Sequence, residues 1–299
     1  MAMRFFGVFL FILVLAFGWS VSGPSLSQER DRAKERAARN EWKDPEYPVV
    51  VELFTAPDCS ACIPADRLLY DISKKKNVIA LGCHIDYWDR TTMDDPTGLE
   101  ECTYRQWAYK SSGAMSSAEI EVPHFMINGN FSINGIRMRE FYGILRSAMD
   151  NWVVRPLFIN MTWKDEDTLL VTLPKTDREV GNEDSFSVWL VRYQDSLIEK
   201  IDKGETAGRV LRFSNVVRDA RHIAKWHGDS RTIEVDVPTP PGGKERGGYV
   251  TIIHQINGSD ILAAGKVLDY VLQDEKTEEK AEAAPPVSSP MLSPTPSSE

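Results

Sequence analysis

The sequence is short of several things, and each shortage excludes a class. Four cysteines in 299 residues are too few for a disulfide framework to replace a hydrophobic core. There are five histidines, and neither a second Cys-x-x-Cys nor a His-x-x-x-His accompanies the one Cys-x-x-Cys, which argues against a structural zinc site. Basic residues are in deficit: 35 Lys plus Arg against 44 Asp plus Glu give a formal net charge of −9. That excludes a broad basic surface for nucleic acid. Past Val21 no apolar run approaches the roughly 18 residues that read as a membrane span. No internal repeat is present, which excludes solenoids.

What remains is ordinary globular composition, 42% hydrophobic and 26% charged, over a length that suits two domains. Residues 1–23 read as a signal peptide: Arg4 supplies the positive start, Phe5–Ala16 lacks polar residues, and Val21-Ser22-Gly23 offers a small-residue cleavage site. The alternative is a retained anchor, for which the 17 residues Phe5–Val21 are at the short limit. Either way the folded part faces a periplasmic or extracellular compartment, and a membrane is a partner only if the segment is retained. Residues 24–44 are a charged spacer with no apolar stripe. Residues 273–299 are acidic, then rich in Pro and Ser, and cannot bury enough apolar surface to stay ordered.

Between these ends lie two regions. Residues 45–153 read β-α-β-α-β-β-α. Val49–Thr55 and Val78–Ile85 are buried strands on either side of a helix with Ala65, Leu68, Leu69 and Ile72 on one face, which predicts a parallel pair with a right-handed crossover. A helix near Leu99–Ser111 follows, then Val122–Ile127 and Phe131–Ile133 around Asn128-Gly129-Asn130, a hairpin signal. A last helix covers about Met138–Trp152, with Phe141, Leu145 and Met149 on one face. Residues 154–272 show short alternating runs separated by turns, from Phe158–Trp163 to Tyr249–His254, and read as an antiparallel all-β sandwich-like domain. Trp163, Trp189 and Trp226 read as its core.

The chemistry centres on Cys59-Ser60-Ala61-Cys62, after a buried strand and at the start of a helix. A helix N-terminus presents unpaired N–H groups and partial positive charge, which favours a thiolate at Cys59. Cys62, three residues on, is placed to resolve a mixed disulfide. The alternatives are a static disulfide and a soft-metal site built from Cys59, Cys62 and His124, suited to copper. Glu52 shares a strand face with Val50 and Phe54; buried below the cysteines, it would have a raised pKa and could relay their proton. Asp86 and Trp88 end the second parallel strand and so should share the cysteines' sheet edge. Cys83 and Cys102 are either a second disulfide or two buried thiols.

These features resemble the thioredoxin superfamily: the strand ending Glu52-Leu53-Phe54-Thr55, the Cys59–Cys62 motif opening a helix, and Val122-Pro123 starting a hairpin strand. More narrowly, Cys59-Ser60-Ala61-Cys62 with Pro64-Ala65-Asp66, then His84-Ile85-Asp86-Tyr87-Trp88-Asp89, then the Pro123 hairpin, is similar to the secreted bacterial proteins of the domain-of-unknown-function 1223 family. Ile63 departs from that pattern, where proline is usual, and Cys83 and Cys102 look like additions. The resemblance implies a thioredoxin-like fold followed by a β-rich part, a cis-proline at Pro123 against the cysteines, and a substrate groove at Val122, Pro123 and His124. The expected function is a secreted or periplasmic thiol–disulfide oxidoreductase. Cys59, Cys62 and Glu52 would be catalytic, no cofactor is needed, and the substrate would be a protein or small thiol or disulfide. The rivals are a copper-handling protein and a non-catalytic binding protein.

Overall fold

The structure is a computed structural model that describes residues 45–87, 96–115, 117, 119–150, 155–176, 186–237, 246–255 and 259–270. The expected leader, spacer and tail, and Trp88, lie outside the described residues.

β1 (Val49–Thr55) and β2 (Val78–His84) are parallel, in register from Val49 opposite Val78 to Thr55 opposite His84. Every residue of both is buried, which is why they read as continuous apolar runs rather than alternating ones. Between them come a 3-10 turn (Ser60–Cys62) and α1 (Ile63–Ser73), which buries Ala65, Asp66, Leu68, Leu69 and Ile72. Pro64 sits in the first turn of α1, where its missing N–H removes no helical bond. Asn77, at φ +57°, ends the crossover and donates from Nδ2 to Pro45 O at 2.8 Å. α2 (Glu100–Ser111) follows. The hairpin of β3 (His124–Ile127) and β4 (Phe131–Asn134) then pairs antiparallel with β1. Asn128, at φ +50°, makes its turn and clamps it to β1, with Oδ1 accepting from Val50 N at 2.9 Å. α3 (Met138–Asp150) buries Phe141, Leu145 and Ala148; Met149 is half-buried beside them.

The remaining strands are β5 (Leu157–Phe158), β6 (Asn160–Asp165), β7 (Thr168–Leu173), β8 (Phe186–Lys200), β9 (Val210–Lys225), β10 (Arg231–Asp236), β11 (Gly247–Gln255) and β12 (Ile261–Leu268). The sequence predicts an antiparallel all-β, sandwich-like region here, and the strands of this region fall into two sheets. Among the described residues one sheet runs β4-β3-β1-β2-β9-β8-β11-β12-β5, and a second, β10-β7-β6, is antiparallel throughout. The result is a mixed α/β architecture with a large sheet and few helices. The sandwich character survives in the packing: Leu169, Val171 and Leu173 of the small sheet share a core with Val188, Ile253 and Ala263 of the large one.

The join is the β2–β9 edge, where β9 runs parallel to β2 with Gly82 opposite Val216. Asn215, at φ +50°, turns its amide across the seam and donates to Ala80 O at 2.8 Å. A Cβ on Gly82 would sit 2.9 Å from Ser214 O, a backbone atom that cannot swing aside. Gly82→Ala is therefore expected to cost about 1–3 kcal/mol by overpacking, read as a lowered urea midpoint with both disulfides intact.

Candidate functional site

β1 ends at Thr55, and Ala56-Pro57-Asp58 turns the chain so that Cys59 N donates to Ala56 O at 3.2 Å. Cys62 N returns to Cys59 O at 3.0 Å, closing the 3-10 turn that leads into α1. Cys59 and Cys62 are joined as a disulfide with Cα atoms 5.2 Å apart. Both are buried, at 2% and 0% exposure, while Ser60 and Ala61 between them are exposed. Cys83 of β2 and Cys102 of α2 form a second disulfide, so the protein has no free cysteine. Of the two alternatives open in the sequence, the bonded one holds.

The burial of Cys59 comes with a contact that local sequence reading misses. The loop from Ile201 to Arg209, joining β8 to β9, straps the cysteine turn. Thr206, fully buried, donates from Oγ1 to Pro57 O at 2.8 Å. The Glu205 carboxylate accepts from Ser60 N at 3.2 Å and from Ser60 Oγ at 2.9 Å. Gly204, at φ +81°, lies so close to the Asp58 carboxylate that a Cβ there would be 1.8 Å from Oδ1. Asp58 is itself 3% exposed, and neither of its carboxylate oxygens has a hydrogen-bond partner among the described residues. Nothing within 201–209 signals this role; it depends on the β2–β9 seam.

On the α1 face of the sheet lies a buried titratable pair. Asp66 stands one helical turn beyond Cys62, so the two share a helix face. It accepts from Thr55 Oγ1 at 3.3 Å. Burial pushes its carboxyl up to about 7, although the nearby His84 and the Thr55 bond pull the other way. His84, fully buried at the end of β2, places Nδ1 2.6 Å from Thr97 Oγ1 and packs edge-on to Phe213. The available signal for Asp66 was a carboxylate among the core residues of α1.

Glu52 lies on the opposite, α2 face with 2% of its side chain exposed. Arg105 donates from Nε to Oε1 and from Nη2 to Oε2, the latter at 3.0 Å. The Tyr109 hydroxyl also donates to Oε2 and accepts from Arg105 Nη2 at 2.6 Å. Burial pushes the Tyr109 phenol well up. Burial works against the Arg105 cation, but Glu52 and Tyr109 together outweigh it and move the guanidinium up. Both oxygens of Glu52 are thus engaged, whereas the carboxyl raised toward neutrality is that of Asp66.

The Val122–Pro123 peptide is cis. Pro123 is buried, and Val122 packs on the apolar cluster that contains both Cys59 and Cys62. His124 is fully buried, bonded at Nε2 to Ser132 Oγ at 2.7 Å, and burial pulls it down to about 4. It is a neutral residue of the hairpin at pH 7. Among the described residues no three His, Cys, Asp or Glu side chains come together in a group that could hold a metal ion. Asp86 accepts from Thr103 Oγ1 at 2.5 Å, which ties the end of β2 to α2.

A family model described as "Protein of unknown function (DUF1223)" matches residues 50–254. The chain belongs to this family. In this DUF1223 protein the match spans both the Cys59–Cys62 turn and the loop that straps it. A solved structure, protein AGR_C_4864 from Agrobacterium tumefaciens, is similar with a TM-score of 0.60 at 20% identity, covering 76% of this chain and 95% of that one. That likeness shows the fold. No curated protein matches the DUF1223 chain. Among its described residues no helix is long and apolar enough to cross a membrane.

Proposed function

We propose that this chain is an extracytoplasmic thiol–disulfide oxidoreductase on a thioredoxin-like framework, with Cys59–Cys62 as its redox pair. The observation that carries the reading is the disulfide between the end of a parallel strand and the first turn of a helix, with a carboxyl near neutrality one turn further on. The strand order β4-β3-β1-β2 and the cis Val122–Pro123 bond support the framework. Two disulfides support an oxidising compartment.

In the reduced form the Cys59 thiolate attacks a substrate disulfide, forming a mixed disulfide and releasing one substrate thiolate. Cys62, its proton passed to the Asp66 carboxylate, then attacks the Cys59 sulfur. The second substrate thiolate leaves, the Cys59–Cys62 bond re-forms, and two electrons have moved to substrate. The opposite direction runs the same steps in reverse. An extended substrate peptide would pair with the backbone at Val122, beside Pro123. A Cys62→Ala variant should accumulate mixed disulfides on Cys59, and Cys59→Ala should accumulate none. Equal trapping by both would overturn the assignment.

The deep burial of both cysteines favours a second reading, a static disulfide sealed by the strap. The reduction potential separates the two, because structural disulfides lie at roughly −300 mV or below. The strap gives an independent test. Three hydrogen bonds worth about 0.5–1.5 kcal/mol each hold the loop to the turn, two through Glu205 and one through Thr206. Glu205→Ala with Thr206→Val is expected to speed reduction by dithiothreitol roughly tenfold, with Cys83–Cys102 unaffected, as followed by alkylation and mass spectrometry. An unchanged rate would mean that the strap does not govern access.

A further inference from the structure

A cavity of about 290 Å³ lies between α2 and the face of the large sheet, lined from β2, β8, β9 and β11 as well as from α2. Its size is at the lower end for small-molecule sites. The sheet wall is mostly apolar: Leu81, Val191, Val217, Ala220 and Ile252 line it, with Trp189 beside them. The Cys83–Cys102 disulfide is part of the wall and staples α2 to β2. One side of the space is thus fixed covalently.

The α2 side differs. Residues three and four apart on a helix are neighbours on its surface, and Glu100, Glu101, Tyr104 and Ala108 make such a row, all of them lining the cavity. All four are exposed, so they form its mouth, whereas Cys102 of the same helix is buried in its wall. Tyr104 leaves 69% of its surface open to solvent, an aromatic ring at the lip of an apolar space. The mouth therefore combines two carboxylates with one aromatic ring, and behind it the surroundings turn apolar.

Charge narrows the ligand. Among the described residues the lining carries three carboxylates, Glu52, Glu100 and Glu101, against the one guanidinium of Arg105. Glu52 and Arg105 bond each other, and His254, pulled down to about 4 by burial, is neutral at pH 7. The excess negative charge is therefore at the mouth, on Glu100 and Glu101. An anion entering there is repelled, and a cation is attracted by both carboxylates and by the face of an aromatic ring. We infer that this cavity binds a small amphipathic cation, a short aryl- or alkylammonium, whose hydrocarbon part fills the apolar space and whose ammonium stays at the mouth with Glu100, Glu101 and Tyr104. This site is separate from the Cys59–Cys62 turn, and its occupancy does not depend on the redox reading.

The test uses the full oxidised chain at pH 7 and three probes of nearly one shape, followed by calorimetry: 4-phenylbutylammonium, 4-phenylbutanol and 4-phenylbutyrate. The ammonium should bind one to one, with a dissociation constant on the order of 0.1–1 mM. It should bind about fivefold tighter than the alcohol, the worth of two exposed charges, and about tenfold or more tighter than the carboxylate. High salt should shrink the preference for the ammonium, because exposed charges are screened. Glu100→Gln with Glu101→Gln alters exposed side chains alone and should cut the preference over the alcohol to about twofold; adding Tyr104→Leu should erase it. Ala220→Leu fills the space and should weaken the binding of all three probes about tenfold or more, with its urea midpoint and both disulfides checked; if that variant does not fold, the mouth variants decide alone. No binding of the ammonium at about 10 mM, the carboxylate bound as tightly as the ammonium, a preference that the two Gln substitutions leave unchanged, or full binding by a folded Ala220→Leu protein would each overturn the inference.

Discussion

Arg105→Met is expected to cost about 3–5 kcal/mol of folding stability, the usual penalty for removing one partner of a buried ion pair. The partner left behind decides the size. Glu52 is in the middle of β1, with 2% of its side chain exposed, and Arg105 bonds both of its oxygens. After the substitution only the Tyr109 hydroxyl still donates to it. The carboxylate cannot turn to solvent without breaking a strand that pairs on both sides, with β2 and β3. Glu52→Gln is expected to cost less, because Arg105 is 21% exposed and can recruit water. Combining Glu52→Gln with Arg105→Met should cost clearly less than the sum of the two, since the interaction both destroy is counted once. Urea unfolding of all four proteins, with disulfides oxidised, measures the cycle. Strict additivity would mean that the two side chains do not interact in solution.

That cluster also shows where sequence reading stops. The strand–helix–strand unit and the Cys59–Cys62 turn were legible because each is a local pattern: an apolar run, a helical stripe, a turn at Ala56-Pro57-Asp58. Glu52 could be placed on the right strand face by its period of two with Val50 and Phe54. Its partners could not, because Arg105 is 53 residues away and on another element. The same limit hid the architecture. β8 and β9 extend to 15 and 16 residues, but over Gln194–Lys200 and Arg218–Lys225 they mix half-buried with exposed positions and carry charges such as Arg218, Asp219 and Arg221. Only short runs, Phe186–Val191 and Arg209–Phe213, mark these strands in the sequence, and neither tells that β9 pairs with β2. Trp189 was read as core from its residue type; it lines a cavity because Ala220 and the staple at Cys83–Cys102 leave space beside it. Asp66 stood in a quoted motif, but its burial follows from the packing of α1 against Thr55 and His84.

Asp66→Asn should have an effect on stability that depends strongly on pH. In the folded protein this carboxyl titrates at about 7, against about 4 for an ordinary aspartate. Between these values the folded state keeps a proton that the unfolded state has lost. Stability from this group is therefore complete below about pH 4, falls as pH rises, and levels off once the folded carboxyl is ionised above about 7. Three units at about 1.4 kcal/mol each make the total on the order of 4 kcal/mol. His124 and His254, both pulled down to about 4, act oppositely: they stabilise above the unfolded value near 6.5 and lose that as pH falls toward 4. Between pH 4 and 6.5 the two histidines outweigh the one carboxyl, so the contribution of the three to wild-type stability rises with pH there, and the readable quantity for Asp66 is the difference between wild type and variant. Asp66→Asn should be more stable than wild type at pH 8 by up to that amount and no more stable at pH 4, by urea unfolding at each pH. If Asp66 also takes the Cys62 proton, the same variant should exchange disulfides more slowly and lose the rise in rate centred near pH 7. A stability difference that does not change with pH would show that Asp66 does not titrate in this range, and the proton route to Cys62 would have to be sought elsewhere.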